Sequence, residues 1–137
     1  MTAIRPPLSI RLDLLRTGPP VGVARVTNDG PEPVRLWASG NSWGDGMLTF
    51  VLDGARIART GQEYTRNAPD AAVLAPGAVY AIAFDLGDGT WTPAALAGRW
   101  LVARLENPNT DETRAHEVWA GTIASDPVDL NARTGRG

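Results

Sequence analysis

The stretch Leu8-Ser-Ile-Arg-Leu-Asp-Leu14 alternates apolar and polar residues. Successive side chains of a β-strand point to opposite faces, so this alternation predicts a strand with one buried face and one face in water. Val21–Thr27 forms a second run, and Asn28-Asp-Gly-Pro31 follows it with residues that favour a turn. The beginning of the chain therefore predicts two consecutive strands.

Further short runs follow, each bounded by residues that favour turns. They predict a strand beginning near Val34 and strands at Leu48–Leu52, Ala55–Ala58, Val79–Asp85, Arg99–Glu106, Glu117–Ile123 and Val128–Leu130. Asp53-Gly54 separates two of these runs and predicts a hairpin with a tight turn. Residues 60–78 are expected to form a long connection. About seven to nine short strands without alternating helices predict an all-β fold, an immunoglobulin-like antiparallel β-sandwich.

The length and composition suit a single folded domain. A chain of 137 residues can bury one sizeable core without covalent help. Hydrophobic residues make up 43% of the chain, and its 15 glycines and 11 prolines suit a turn-rich β-protein. We therefore expect one sandwich domain over residues 1–130 and a flexible tail over residues 131–137.

Composition excludes several classes of function. Without cysteine the chain has no disulfides, no thiol catalysis and no iron–sulfur cluster, and its single histidine leaves a metal site to carboxylates, so we expect no metal and no cofactor. The net charge of −2 and the dispersed arginines argue against nucleic-acid binding. No signal peptide and no apolar run of ~20 residues is present, so we expect no membrane contact and a cytoplasmic location.

Polar residues that could carry chemistry are few. His116-Glu117 joins an imidazole to a carboxylate, but adjacent strand residues point to opposite faces, so we predict no catalytic residue and no enzyme activity. Loop oxygens of the kind that Ca²⁺ prefers come from Asn41, Asp45, Asp53, Asp85 and Asp88. Their spacing is not that of an EF-hand, and Asp-Gly is common turn chemistry, so plain turns are favoured over a bound ion.

Five tryptophans are unusual for so short a chain. Trp43, in Gly40-Asn-Ser-Trp-Gly-Asp-Gly46, and Trp91, after Asp88-Gly-Thr90, lie in predicted loops. Exposed there, they would stack on a sugar ring or anchor a protein partner; otherwise they fold back and close the ends of the sandwich. Trp100 and Trp119 lie in predicted strands and are expected in the core.

Two strands have apolar residues on both faces. Trp37 alternates with Val34 and Leu36, and Trp100 alternates with Leu101. Either these strands are covered on both sides, or one sheet presents an apolar outer surface to a partner. The second alternative predicts self-association or binding of another protein.

The order of turns and strands resembles a known family. The landmarks are Val26-Thr-Asn-Asp-Gly30 before Pro33-Val34, Leu74-Ala-Pro-Gly77, Phe84-Asp-Leu86 and Gly98-Arg-Trp-Leu-Val102. Over residues 8–106 this order resembles the β-sandwich that precedes the catalytic domain of peptidyl-Lys-type metallopeptidases, and more loosely the bacterial intracellular proteinase inhibitor domain. The resemblance implies an immunoglobulin-like fold. It implies no peptidase activity, because the chain lacks the His-Glu-x-x-His motif of those enzymes.

Together these observations predict a non-enzymatic protein-interaction module. Its partner is expected to be another protein or a second copy of the chain. The predicted binding residues are Trp43, Asp45, Asp88, Trp91 and Trp37. Two alternatives remain open: binding of a carbohydrate or small ligand through the loop tryptophans, and protease inhibition through a loop at residues 60–70 that contains Arg66.

Overall fold

A computed structural model describes residues 7–38, 47–59, 71–92 and 98–131. Within these ranges the strands are β1 (Leu8–Thr17), β2 (Pro20–Asn28), β3 (Val34–Trp37), β4 (Leu48–Leu52), β5 (Ala55–Arg59), β6 (Ala71–Leu74), β7 (Val79–Asp85), β8 (Trp91–Thr92), β9 (Trp100–Asn107), β10 (Gly121–Ala124) and β11 (Val128–Asp129). The helix α1 (Asp111–Ala115) lies between β9 and β10. At five residues, it is the only helix in these ranges and is far too short to cross a membrane.

The strands form two sheets and a separate pair, all with antiparallel neighbours. The first sheet has the order β1-β2-β7. The second sheet has the order β10-β9-β4-β5-β8, with β11 also paired to β9. Strands β3 and β6 form the third ladder. The predicted all-β sandwich is confirmed.

The core lies between the two sheets. Phe50 of β4 and Phe84 of β7 meet there, with ring centroids 4.6 Å apart. From the first sheet, Leu8, Ile10 and Leu12 are buried, while the polar residues that alternate with them face outward. The alternation in β1 therefore positions the strand as the sequence predicts.

The β4–β5 hairpin has the predicted tight turn. Asp53 has φ 49° and Gly54 has φ 85°. Two central residues with positive φ are what a type I′ turn requires, and Asp-Gly is a preferred pair for it. Leu52 and Ala55 face each other at the end of the ladder, so the turn has two residues.

Part of the expected connection over residues 60–78 is a strand. Within its described portion, Ala71–Leu74 form β6, which pairs with β3 from Val34↔Leu74 to Trp37↔Ala71. Four residues are too few for an alternation to show in the sequence. The pairing with β3, which is distant along the chain, defines this strand.

Asn28 connects β2 to β6 inside the protein. Its side chain is fully buried, and its Nδ2 donates to the carbonyls of Glu32 at 2.7 Å and Leu74 at 2.9 Å. Its Oδ1 accepts the N–H of Gly30 at 3.0 Å. One amide thus uses both donor hydrogens and its acceptor, which lets a polar side chain lie in the core.

The segment between β9 and β10 differs from the prediction. The sequence predicts a strand over Glu117–Ile123, but the strand begins at Gly121 and the helix α1 precedes it. Thr110 caps this helix by accepting the N–H of Thr113 at 3.2 Å, and acidic residues occupy the first turn. A capping threonine followed by acidic residues is a helix-start signal that the sequence contains.

Candidate functional site

The second sheet has an outer face, formed by side chains of β9, β4 and β5 that point away from the core. In β9, Leu101, Ala103 and Leu105 are completely buried. Trp100 and Val102 alternate with them and therefore point outward. Trp100, expected in the core, is instead 45% exposed, which corrects the prediction.

Two residues opposite each other form the apolar centre of this outer face. Val102 of β9 pairs directly with Val51 of β4, and both are half-buried. Arg56 of β5 lies opposite Val51 on the other side. Trp100 lies two residues before Val102 in the chain and on the same face of β9. The apolar surface therefore extends from the indole to the centre of the sheet.

The indole of Trp100 is held by a neighbouring arginine. The guanidinium carbon of Arg99 lies 5.0 Å from the centroid of the Trp100 ring, a cation–π distance. Asp129 of β11 accepts two hydrogen bonds from the same guanidinium, from Nε and from Nη2, each at 3.1 Å. This bidentate pair lowers the pKa of Asp129. The arginine is thus positioned from one side and contacts the tryptophan with the other.

The turn of the β4–β5 hairpin holds the backbone of Trp100. The two carboxylate oxygens of Asp53 accept the N–H groups of Arg99 and Trp100, each at 2.9 Å. The N–H of Asp53 donates to the carbonyl of Trp100 at 3.0 Å. We call these three bonds the Asp53 clamp. The two bonds that the carboxylate accepts lower the pKa of the Asp53 carboxyl, with the Trp100 N–H contributing most.

Glycine at position 98 allows this close approach. A Cβ atom at Gly98 would lie 2.7 Å from Cγ of Leu52 and 2.8 Å from Oδ2 of Asp53. Both distances are shorter than real Cβ contacts. A larger residue would push the chain away from the hairpin, so Gly98 is needed for the Asp53 clamp.

A charged strip borders the apolar centre. Glu106 lies between two arginines: its Oε1 is 2.9 Å from Arg56 and its Oε2 is 3.1 Å from Arg104. Thr49, on the neighbouring strand, donates its hydroxyl to Oε1 at 3.4 Å. The outer face thus combines an apolar centre with a polar border.

Two of the predicted binding residues are buried. Trp91 lies in β8 rather than in a loop, is 4% exposed, and packs edge-to-face on Phe50 at 5.3 Å. Trp37 is 1% exposed, and its Nε1 donates to Oδ1 of Asn107 at 3.2 Å. Both residues are therefore corrected from surface candidates to core residues. Trp91 takes the alternative role that the sequence left open, closing the sandwich.

Of the other predicted binding residues, the structure describes only Asp88. Asp88 is exposed, and its Oδ1 accepts the N–H and the hydroxyl of Thr90, at 2.9 Å and 2.7 Å. This carboxylate closes its own turn, and Asp85 does the same for Gly87 at 2.8 Å. Trp43 and Asp45 lie outside the described residues.

Trp37 is covered by the segment that follows α1. The N–H of Trp119 donates to the carbonyl of Arg35 at 2.8 Å, and Nε of Arg35 donates to the carbonyl of His116 at 2.8 Å. The His116 ring packs edge-to-face on Trp37 at 5.3 Å. Of the two alternatives for this strand, coverage on both faces is the one observed. The His116 ring thus packs on an aromatic ring.

An open depression of about 560 Å³ lies where β9 ends and β10 begins. Asn107 is among the residues that line it, but its Nδ2 already donates to the carbonyl of Trp119 at 2.6 Å. Among the residues that the structure describes, no three acidic or histidine side chains converge in a way that could hold a metal ion. The outer face of the second sheet is therefore the candidate site.

Because of the Asp53 clamp, we expect the free energy of unfolding to vary with pH in the acid range. The pKa of Asp53 is lower in the folded protein than its usual 3.8. The stabilisation by the ionised carboxylate is therefore present above about pH 4 and is lost as the pH falls through the pKa of the folded protein. Asp53→Asn tolerates positive φ and does not titrate. We expect the variant to be less stable at pH 7, with the difference shrinking towards pH 3. Urea unfolding at both pH values measures this, and a constant difference would contradict it.

No protein-family model matches this chain, and no curated protein is significantly similar to it in sequence.

Proposed function

We propose that this protein is a non-enzymatic protein-interaction module that binds another protein through the outer face of its second sheet. The observation that carries the proposal is the exposure of Trp100, 45% of whose surface is open on a regular strand. Tryptophan is enriched among the residues that dominate binding energy in protein interfaces. Trp100 would be the anchor of this interface.

The surroundings of Trp100 favour that role. The Asp53 clamp fixes its backbone, and Arg99 lies against its ring, so little conformational freedom remains to be lost on binding. Val102 and Val51 extend the apolar area beside it. Each arginine of this face has a carboxylate partner, so its charges would orient a partner rather than attract one by net charge.

We infer that the sandwich is of the immunoglobulin type, as the sequence resemblance implies. In that topology one sheet holds strands A, B and E, and the other holds G, F, C and C′. The orders β1-β2-β7 and β10-β9-β4-β5 correspond to these two sets in chain order. Ligand binding through Trp91 has less support, because Trp91 is buried. Trp43 and the loop with Arg66 lie outside the described residues.

Replacing Trp100 by alanine tests the proposal. Immobilised protein is used to capture a binding protein from a lysate of the source cells, and that protein is then purified for titration calorimetry. We expect Trp100→Ala to weaken its binding by about 30-fold or more, because an interface anchor contributes roughly 2 kcal/mol or more.

The matched control is Leu15→Ala, since Leu15 is 73% exposed on the first sheet. It should bind as the parent protein does. Equal affinity for Trp100→Ala and the parent, with circular dichroism showing both folded, would remove the outer face from the interaction.

A further inference from the structure

Among the residues that the structure describes, the first sheet has an open edge at β7. This strand pairs with β2 on one side, and the order β1-β2-β7 places no strand of the described residues on its other side. Leu86 donates its N–H to Pro20, and Asn28 donates its N–H to Ala78, at the two ends of the β2–β7 ladder. These bonds define which residues of β7 direct their backbone groups towards β2.

Antiparallel strands alternate between residues that bond to the neighbour and residues that bond away from it. Ala78 and Leu86, which form the two end bonds, have even numbers. The backbone groups of Tyr80, Ile82 and Phe84 therefore also point towards β2. The backbone N–H and C=O groups of Val79, Ala81 and Ala83 therefore point out of the sheet. Within the described chain, no hydrogen bond to these outward groups is present.

The two edge strands of the first sheet, β1 and β7, differ in the features that prevent pairing with another chain. On β1, Arg11 and Asp13 place charges on the strand, and a register shift between Leu14 and Arg16 interrupts its regular geometry. Charges and bulges are the usual means by which edge strands avoid pairing with other chains. Val79–Phe84 of β7 contains no charge and no proline, and its register with β2 is unbroken.

The side chains of β7 also suit a neighbouring strand. On the outer surface Val79, Ala81 and Ala83 are exposed, and the two alanines leave room for close approach. On the core side Tyr80 and Ile82 are half-buried although they pack against the core. A strand added at this edge would cover the remaining exposed area of both.

We propose that a second copy of this chain adds its own β7 to this edge, antiparallel to the first and related to it by a two-fold axis. Centred on Ile82, this pairing places Ala81 opposite the copy's Ala83 and Tyr80 opposite its Phe84. No like charges face each other, and the aromatic pairs lie on the core side, where cross-strand aromatic contacts stabilise sheets.

This pairing would produce a dimer and would not continue to larger assemblies. A two-fold contact uses the same strand of each copy, so both β7 edges become occupied. The remaining edges of the joined sheet are the two β1 strands, which carry the charges and the register shift. The expected product is therefore a closed dimer with a continuous six-stranded sheet, β1-β2-β7 followed by its symmetric copy, and not a fibre.

Size-exclusion chromatography with light scattering, over a range of concentrations of the full chain, tests this dimer. We expect a concentration-dependent dimer, and we expect Ala83→Lys to raise its dissociation constant at least 10-fold without changing the circular dichroism spectrum. Leu15→Lys adds the same charge near the opposite edge and should leave the dimer intact. Trp100→Ala should also leave it intact, which separates this edge from the outer face of the second sheet.

Hydrogen exchange of the parent protein gives a second measurement that needs no variant. The amides of Val79, Ala81 and Ala83 should exchange more slowly at high than at low protein concentration. A monomer at every concentration, or a dimer that Trp100→Ala abolishes and Ala83→Lys does not, would overturn the proposal. So would exchange at these three amides that does not depend on concentration.

Discussion

Replacing Phe50 by alanine is expected to lower the free energy of unfolding by about 4 kcal/mol, the range observed when a buried aromatic side chain is truncated. Phe50 has no exposed surface. It contacts Phe84 of the first sheet at 4.6 Å and Trp91 of β8 at 5.3 Å, so it joins three strands across the core. Alanine would leave a cavity that neither ring can fill without losing its own contacts.

Thermal and urea unfolding measure this effect. For a chain of this size, a loss of about 4 kcal/mol corresponds to a fall of roughly 10 °C or more in Tm. Phe50→Leu is the control, because it keeps most of the apolar volume and should cost less than about 1.5 kcal/mol. Equal Tm values for the two variants would show that Phe50 does not pack between the sheets as described.

Replacing Asn28 by alanine is expected to cost about 3 kcal/mol. The variant would leave the carbonyls of Glu32 and Leu74 and the N–H of Gly30 without the partner that they have now. Each buried polar group left unsatisfied costs roughly 1–3 kcal/mol, partly recovered where water can enter. Because Leu74 belongs to β6, the loss should also loosen the contact between β2 and the β3–β6 pair.

Asn28→Asp distinguishes the effect of lost hydrogen bonds from the effect of lost side-chain volume. An aspartate has nearly the same shape and can still accept from Gly30, but when ionised it has no hydrogen to donate to Glu32 or Leu74. We expect it to be at least as destabilising as alanine at pH 7, because it also places a charge in the core. Urea unfolding compares the two variants. An Asn28→Asp protein as stable as the parent would contradict the assigned amide orientation.

The exposure of Trp100 depends on tertiary contacts that the sequence of β9 does not reveal. Trp100 and Val102 on one side of β9, and Leu101, Ala103 and Leu105 on the other, are all apolar. An alternation of two apolar faces does not show which face is buried. The answer comes from β4, which pairs with β9 and directs Phe50 towards the first sheet, so that Leu101 and Leu105 lie on the same inner side.

The burial of Trp37 and Trp91, two of the predicted binding residues, also depends on distant segments of the chain. Trp37 is buried because the segment after α1, far along the chain, lies over its strand. Trp91 is buried because β8 pairs with β5 and brings its ring to Phe50. Glycine and aspartate around Trp91 indicate a turn, and Asp88 does form one. They carry no information about what the indole then contacts.

The sequence by itself determined the features that depend on neighbouring residues. The alternation at Leu8–Leu14 defines β1, and Asp53-Gly54 defines a hairpin, because side-chain direction and positive φ are local properties. Tertiary structure alone decided that Ala71–Leu74 is a strand, that Trp100 is exposed and that no described strand lies beside the outer edge of β7. Each of these depends on which distant segment lies alongside, and a single sequence does not encode that contact in any local pattern.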